Sequence, residues 1–172
     1  MASIGHIAVG MAAARVAGAE RGAAQRVWVS MLGWSVLSLL PDADVIGFRY
    51  GVAYAAPWGH RGATHSFAFA LAVTVIVYLL RRGKSSRRFR NACITALVVG
   101  SHAVLDTMTD GGLGCALLWP FDLSRYFAPW TPIPVAPIGP RFLSAAGLHV
   151  ALAEAVLFSP AFVYALWPRR KS

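Results

Sequence analysis

Acidic residues and cysteines are scarce in this chain. Seven Asp and Glu stand against sixteen Lys and Arg in 172 residues, and charged side chains make up 13% of the sequence against 57% hydrophobic. So few charges cannot cover the surface of a water-soluble domain, which excludes an ordinary soluble globular protein and points to a small integral membrane protein. Cys93 and Cys115 are the only cysteines. On one helical run they would lie ~30 Å apart, too far to bridge, so neither a disulfide framework nor a thiolate metal site is expected. No Gly-x-Ser-x-Gly turn and no Cys and His pairing is visible, which leaves covalent catalysis without support. The basic excess does not indicate nucleic acid. Arg81, Arg82, Lys84, Arg87, Arg88 and Arg90 share one short connector in which Phe89 is the only aromatic residue available for stacking.

What is present is a series of apolar runs, over residues 4–19, 27–40, 65–80, 92–108 and 144–167. Most faces of these runs are apolar, as in membrane spans, and the first four are short against the ~20 residues that cross a typical bilayer. The expected fold is all-α: a single integral membrane domain over residues 1–172, built as a polytopic bundle of about five helices. The first run is rich in Gly and Ala, which favours close helix packing. A cleaved signal peptide would carry its positive charge before the apolar core, whereas Arg15, Arg21 and Arg26 come late in the first run or after it, despite the small residues of "VAGAE". An N-terminus outside and a C-terminus in the cytoplasm leave twelve of the sixteen basic residues at the cytoplasmic side, including Arg169, Arg170 and Lys171, as the positive-inside rule asks. Residues 119–140 hold six of the ten prolines together with Trp119, Phe121, Tyr126, Phe127 and Trp130. Proline excludes a regular helix there, so this is an outer loop, either an interfacial aromatic belt or a lid over a site.

The same threading brings the ionisable residues to one side. His6 starts the first helix, Asp42 and Asp44 end the second, and His60 and His65 start the third. His102, Asp106 and Asp110 occupy the outer half of the fourth at four-residue spacing, on one helical face. His149 starts the fifth, and with no partner closer than Glu154 it reads as structural. Ionisable groups within membrane spans are costly unless they pair or bind a cation, and they mark function by default. Imidazole with carboxylate suits zinc, manganese or iron better than calcium. His102 and Asp110 are ~12 Å apart along a helix axis, too far to share one ion by backbone position alone, whereas two ions ~3.5 to 4 Å apart with a carboxylate between them would use such a ladder.

The early His6, "LLPDAD" at residues 39–44, "HRGATHS" at 60–66, "GSHAVLDTMTDGG" at 100–112 and "WPF" at 119–121 resemble, in order and kind, the YdjM-like family of bacterial membrane-bound metal-dependent hydrolases. The resemblance covers roughly residues 1–121. It implies a multi-pass protein of the inner membrane whose site is made by His6, Asp42, Asp44, His60, His65, His102, Asp106 and Asp110. A looser similarity, in residue kinds and order only, is to the all-helical zinc-dependent phospholipases C. It turns the expected substrate toward phosphoesters, although Asp110 stands where a third helical histidine would be expected.

Hydrolysis at the outer membrane face is the expected activity, since a bound cation lowers the pKa of water and polarises a phosphoryl or acyl oxygen. Metal ligands are expected among His6, Asp42, His60, His65, His102, Asp106 and Asp110. Asp44 or Asp42 is the expected general base, and Arg61 the expected phosphate fork. The expected cofactor is zinc, with manganese or iron as alternatives, as one or two ions. Membrane lipid is the expected solvent and substrate. The competing classes are a divalent-metal transporter or sensor, for which few polar residues continue inward (Ser35, Ser38 and Thr74), and a structural membrane protein whose His and Asp pair internally.

Overall fold

The computed structural model describes residues 3–18 and 24–168. Within them lie helices α1 (Ser3–Val16), α2 (Ala24–Ser38), α3 (Phe67–Leu80), α4 (Ser85–Thr107), α5 (Ala145–Leu157) and α6 (Ser159–Leu166), with 3-10 segments at Leu40–Tyr50, Ala63–His65 and Gly139–Leu143. No sheet forms among the described residues; two isolated bridges, Thr109 with Ile133 and Cys115 with Tyr126, pin the long loop after α4. The all-α expectation holds. Arg21, Arg169, Arg170, Lys171 and the end of "VAGAE", which bear on orientation and cleavage, lie outside the described residues.

Local chemistry sets the helix ends. Pro41 has no N–H with which to continue the α-helical ladder, so α2 stops at Ser38 and the chain bends by 53° into the 3-10 segment. That segment stops at Gly51, whose φ of 78° is a left-handed conformation open to glycine at little cost. Pro160 opens α6 after a 60° bend, so the fifth apolar run is two helices rather than one. Ser66 caps α3 by accepting the Phe69 N–H at 3.0 Å. Basic side chains close the opposite ends. Arg15 donates to the carbonyls of Tyr164, Ala165 and Trp167 at the end of α6, Arg88 to the Tyr78 carbonyl on α3, and Arg90 to the Ala17 carbonyl after α1. Part of the basic excess thus serves as C-caps.

Helix α1 is the hub, packed on α2, α4, α5 and α6, while α3 packs on α4. The α1–α2 contact is close because Gly10 lies against the α2 backbone; a Cβ there would stand 2.4 Å from the Ser35 Cα. Ala13, Ala14, Met31, Trp34, Ile94, Val98 and Ala165 fill the core beneath. The outside carries Leu71, Ile76, Leu79, Leu97, Leu152 and Val156, all exposed, while His6, Arg61, His65, His102 and Asp106 are buried. An apolar surface around a polar interior is the inverse of a water-soluble domain. Among the described residues no single helix is long and apolar enough to cross a membrane. The bent pairs from Arg26 to Tyr50 and from Ala145 to Leu166 reach that length together, and α1 and α3 are shorter apolar helices.

Candidate metal centre

Four elements meet at one end of this bundle: the start of α1, the 3-10 segment after α2, the turn before α3 and the last turns of α4. On α4, His102 and Asp106 are one turn apart and face the same way, with exposures of 0% and 1%. The bend at Pro41 turns Asp42 and Asp44 back over the bundle end. The short 3-10 turn Ala63–His65 drops His65 between them, fully buried.

Four ligand atoms then converge. His65 Nε2 lies 3.1 Å from His102 Nε2, 3.6 Å from Asp42 Oδ1 and 3.5 Å from Asp106 Oδ2, and His102 Nε2 lies 3.4 Å from Asp42 Oδ1. A tetrahedral ion with bonds of ~2.0–2.1 Å separates its ligands by ~3.3 Å, so these four atoms of Asp42, His65, His102 and Asp106 can hold a metal ion. The tautomers agree. The Ser38 carbonyl, 2.7 Å from His102 Nδ1, can only accept, so Nδ1 carries the proton and Nε2 presents its lone pair. His65 Nδ1 sits 3.2 Å from Asp44 Oδ2, which orients that ring in the same way. Two imidazole lone pairs at 3.1 Å repel each other unless a cation or a proton lies between them.

Charge gives the same answer. Asp42, Asp44 and Asp106 contribute three negative charges and Arg61, whose Nε is 3.2 Å from Asp106 Oδ2, one positive, so the formal remainder of −2 matches a divalent cation. Without one, a proton is drawn in: burial disfavours a charged His65, yet hydrogen bonds with Asp106, Asp42 and Asp44 outweigh it and raise its pKa to about 10. His6 stacks on His102 with ring centroids 3.6 Å apart and places Nε2 3.4 Å from Asp106 Oδ1, the other oxygen of that carboxylate. Its Nδ1 is buried with no hydrogen-bond partner among the described residues. Asp106 thus faces the four-atom cluster with one oxygen and His6 with the other.

Several sequence expectations meet a different geometry. Asp110 does not join the cluster, because α4 ends at Thr107 and the chain turns outward; its carboxylate is exposed and accepts the Val135 N–H at 2.7 Å. His60 is not one of the four converging residues. Its Nδ1 is 2.7 Å from Asp44 Oδ1, a hydrogen-bond length, and Asp44, His60 and His65 form a second group close enough to hold an ion. Both Asp44 oxygens are engaged, since Oδ2 also accepts from Thr64 Oγ1 at 2.6 Å and the Arg61 N–H at 3.2 Å. Asp44 therefore faces His60, His65, Thr64 and the Arg61 backbone rather than the open cavity. Thr64 accordingly serves Asp44, and the α3 cap is Ser66. Arg61 is buried at 1% exposure, with Nη1 donating to Thr109 Oγ1 and the Gly111 carbonyl and Nε against Asp106. His149 is exposed and apart from the site. Cys93 is exposed and Cys115 buried, both free, and burial pushes the Cys115 thiol up to about 12.

Sequence reasoning passed over two groups. Glu154 on α5, fully buried, accepts the Gly5 N–H at 3.0 Å and so sets the start of α1 beside His6; an acidic residue inside an apolar run was its signal. Arg49 lines a cavity of about 740 Å³ that opens over Asp42, His60 and Arg61 and is walled on the far side by residues 135–140 and Phe142 of the proline-rich loop. Asp42 is the carboxylate that meets this cavity, its side chain 22% exposed against 2% for Asp44 and 1% for Asp106.

Compared with known proteins, the chain is 39% identical over 141 residues to "Inner membrane protein YbcI" of Escherichia coli (strain K12), covering 79% of this chain and 82% of that protein. No solved structure matches it. The family model described as "YdjM inner membrane protein" matches residues 1–170. With its motif residues gathered at one pole and a relative of matching length, the chain belongs to the YdjM inner membrane protein family.

Proposed function

We propose that this protein is a membrane-bound, zinc-dependent hydrolase that acts on a lipid phosphoester at the outer face of the inner membrane. The observation that carries the reading is the convergence of Asp42, His65, His102 and Asp106 at near-tetrahedral spacing beneath an open cavity. When bound, the ion supplies Lewis acidity and a nucleophilic water of lowered pKa. Asp42 has one oxygen in the cluster and borders the cavity, which places it to take the proton from an attacking water. Asp44 orients His60 and His65, and Arg61 holds Asp106. Arg49, exposed on the cavity wall, replaces Arg61 as the group that attracts the substrate phosphate. The site pole lies away from the α3–α4 connector and the first turns of α4, which together carry the basic residues from Arg81 to Arg90, so the positive-inside rule supports a multi-pass arrangement with the site outside and the C-terminus in the cytoplasm.

The test is turnover. Zinc-loaded protein in lipid nanodiscs is assayed against glycerophospholipids and other phosphorylated lipids, with acyl esters as comparison. The expected result is phosphoester cleavage that falls roughly 100-fold or more in Asp42→Asn, the range for loss of general base help. No turnover of any lipid while metal stays tightly bound would contradict the hydrolase reading and favour a transporter or sensor.

A further inference from the structure

A second cavity, of about 750 Å³, lies away from the metal centre, between α2 and α3. The backbones of these two helices do not pack on one another; each leans on α4 instead, which leaves a groove. Val29, Gly33 and Trp34 form one wall and Val77 and Leu80 the other. Leu37 reaches the cluster of Ala70, Val73 and Val99 and closes the end nearer the site. Two guanidinium groups, Arg26 and Arg81, line the opposite end, which is the pole of the basic connector. From Leu37 to Arg26 the groove runs ~16 Å along α2, close to the ~15 Å of one bilayer leaflet.

We infer that this groove is a binding site for an anionic phospholipid, with an acyl chain along the apolar walls and the phosphate between Arg26 and Arg81. Charge complementarity selects the occupant. Arg26 and Arg81 are both exposed at the mouth, where an anionic headgroup pairs them and a neutral lipid or an apolar helix from a second copy leaves them unpaired. Gly33 marks the open space, since a Cβ built there meets nothing within 4 Å. The site shares no lining residue with the metal centre and is independent of the hydrolase reading.

Native mass spectrometry of the full-length protein, released from detergent after incubation with equal amounts of phosphatidylglycerol and phosphatidylcholine, tests it. The wild type is expected to keep one phosphatidylglycerol per chain at least tenfold in preference to phosphatidylcholine. Gly33→Leu, which fills the groove, and Arg26→Ala with Arg81→Ala, which removes the headgroup partners, should each abolish that preference at unchanged helicity and metal content. Equal retention of the two lipids by wild type would overturn the inference, even if neither variant folds. So would an undiminished preference in both variants, or a wild-type dimer that excludes phosphatidylglycerol.

Discussion

Arg61 shows how far residue types alone carry. Its place beside His60 suggested a phosphate fork, but its φ of 62° is a left-handed conformation that costs a non-glycine residue on the order of 1 kcal/mol or more. The tight loop around it explains how that strain is sustained. Arg125 braces the carbonyls of Tyr54, Ala56 and His60, and the Ala116 N–H donates to the Arg61 carbonyl. The strained backbone turns the guanidinium inward to Asp106, Thr109 and Gly111. Arg61→Met is therefore expected to destabilise the protein by about 1–3 kcal/mol, because it removes one charged partner of buried Asp106 and leaves the groups that Arg61 bonds unsatisfied, and thermal unfolding in detergent measures this. A variant as stable as wild type would mean that the pair is not needed. Asp44 calls for a finer distinction. If it orients His65, Asp44→Asn lowers metal affinity roughly 10–100-fold, read by competition with a zinc chelator, while Arg49→Ala leaves affinity unchanged. The sequence made these side chains visible as candidates, but which oxygen or nitrogen meets which partner depends on loop conformations that no spacing encodes.

At the level of elements, the sequence was most legible where local rules are strong. Pro41 announced the end of regular helix, the i,i+4 pair His102 and Asp106 announced a shared face, and the prolines of residues 119–140 excluded a helix, whereas the break at Pro160 inside the fifth apolar run went unread. It was least legible at the end of α4, where an apolar pattern runs on to Met108 while the helix stops at Thr107. Tertiary hydrogen bonds decide that stop: the Asp110 N–H to Ile133, the Ile133 N–H to Met108 and the Ala128 N–H to Thr107. Asp110 leaves the ladder for that reason. Two glycines on facing helices offer a contrast that only the packing reveals. Gly10→Ala drives a methyl into the α2 backbone and is expected to cost about 1–3 kcal/mol. Gly33→Ala meets open space and is expected to gain about 0.5–1 kcal/mol from helix propensity. Melting temperatures of the two variants should move in opposite directions, and a shared direction would contradict the packing of α1 on α2.

Across the whole molecule, polarity is arranged by pole. One end gathers His6, Asp42, His65, His102 and Asp106, and the other carries Arg81, Arg82 and Lys84 of the α3–α4 connector with Arg87, Arg88 and Arg90 on the first turns of α4, which starts earlier than the apolar run from residue 92 predicts. If the basic pole is cytoplasmic, a cysteine at Ser85 in a variant lacking Cys93 and Cys115 should resist an impermeant thiol reagent added outside, while one at Ser124 should label; the reverse would place the site on the other face. A divalent cation at the site pole ties together the segment after α2, the turn before α3 and the end of α4, so it acts on the architecture as well as on any chemistry. The measurement that bears on this most directly is the metal content of purified protein, wild type against His102→Ala. We expect about one tightly bound divalent transition metal per chain in wild type, held among Asp42, His65, His102 and Asp106, and its loss in His102→Ala at unchanged helicity. Wild-type protein that takes up no metal after loading, or a variant that holds as much as wild type, would contradict the assignment.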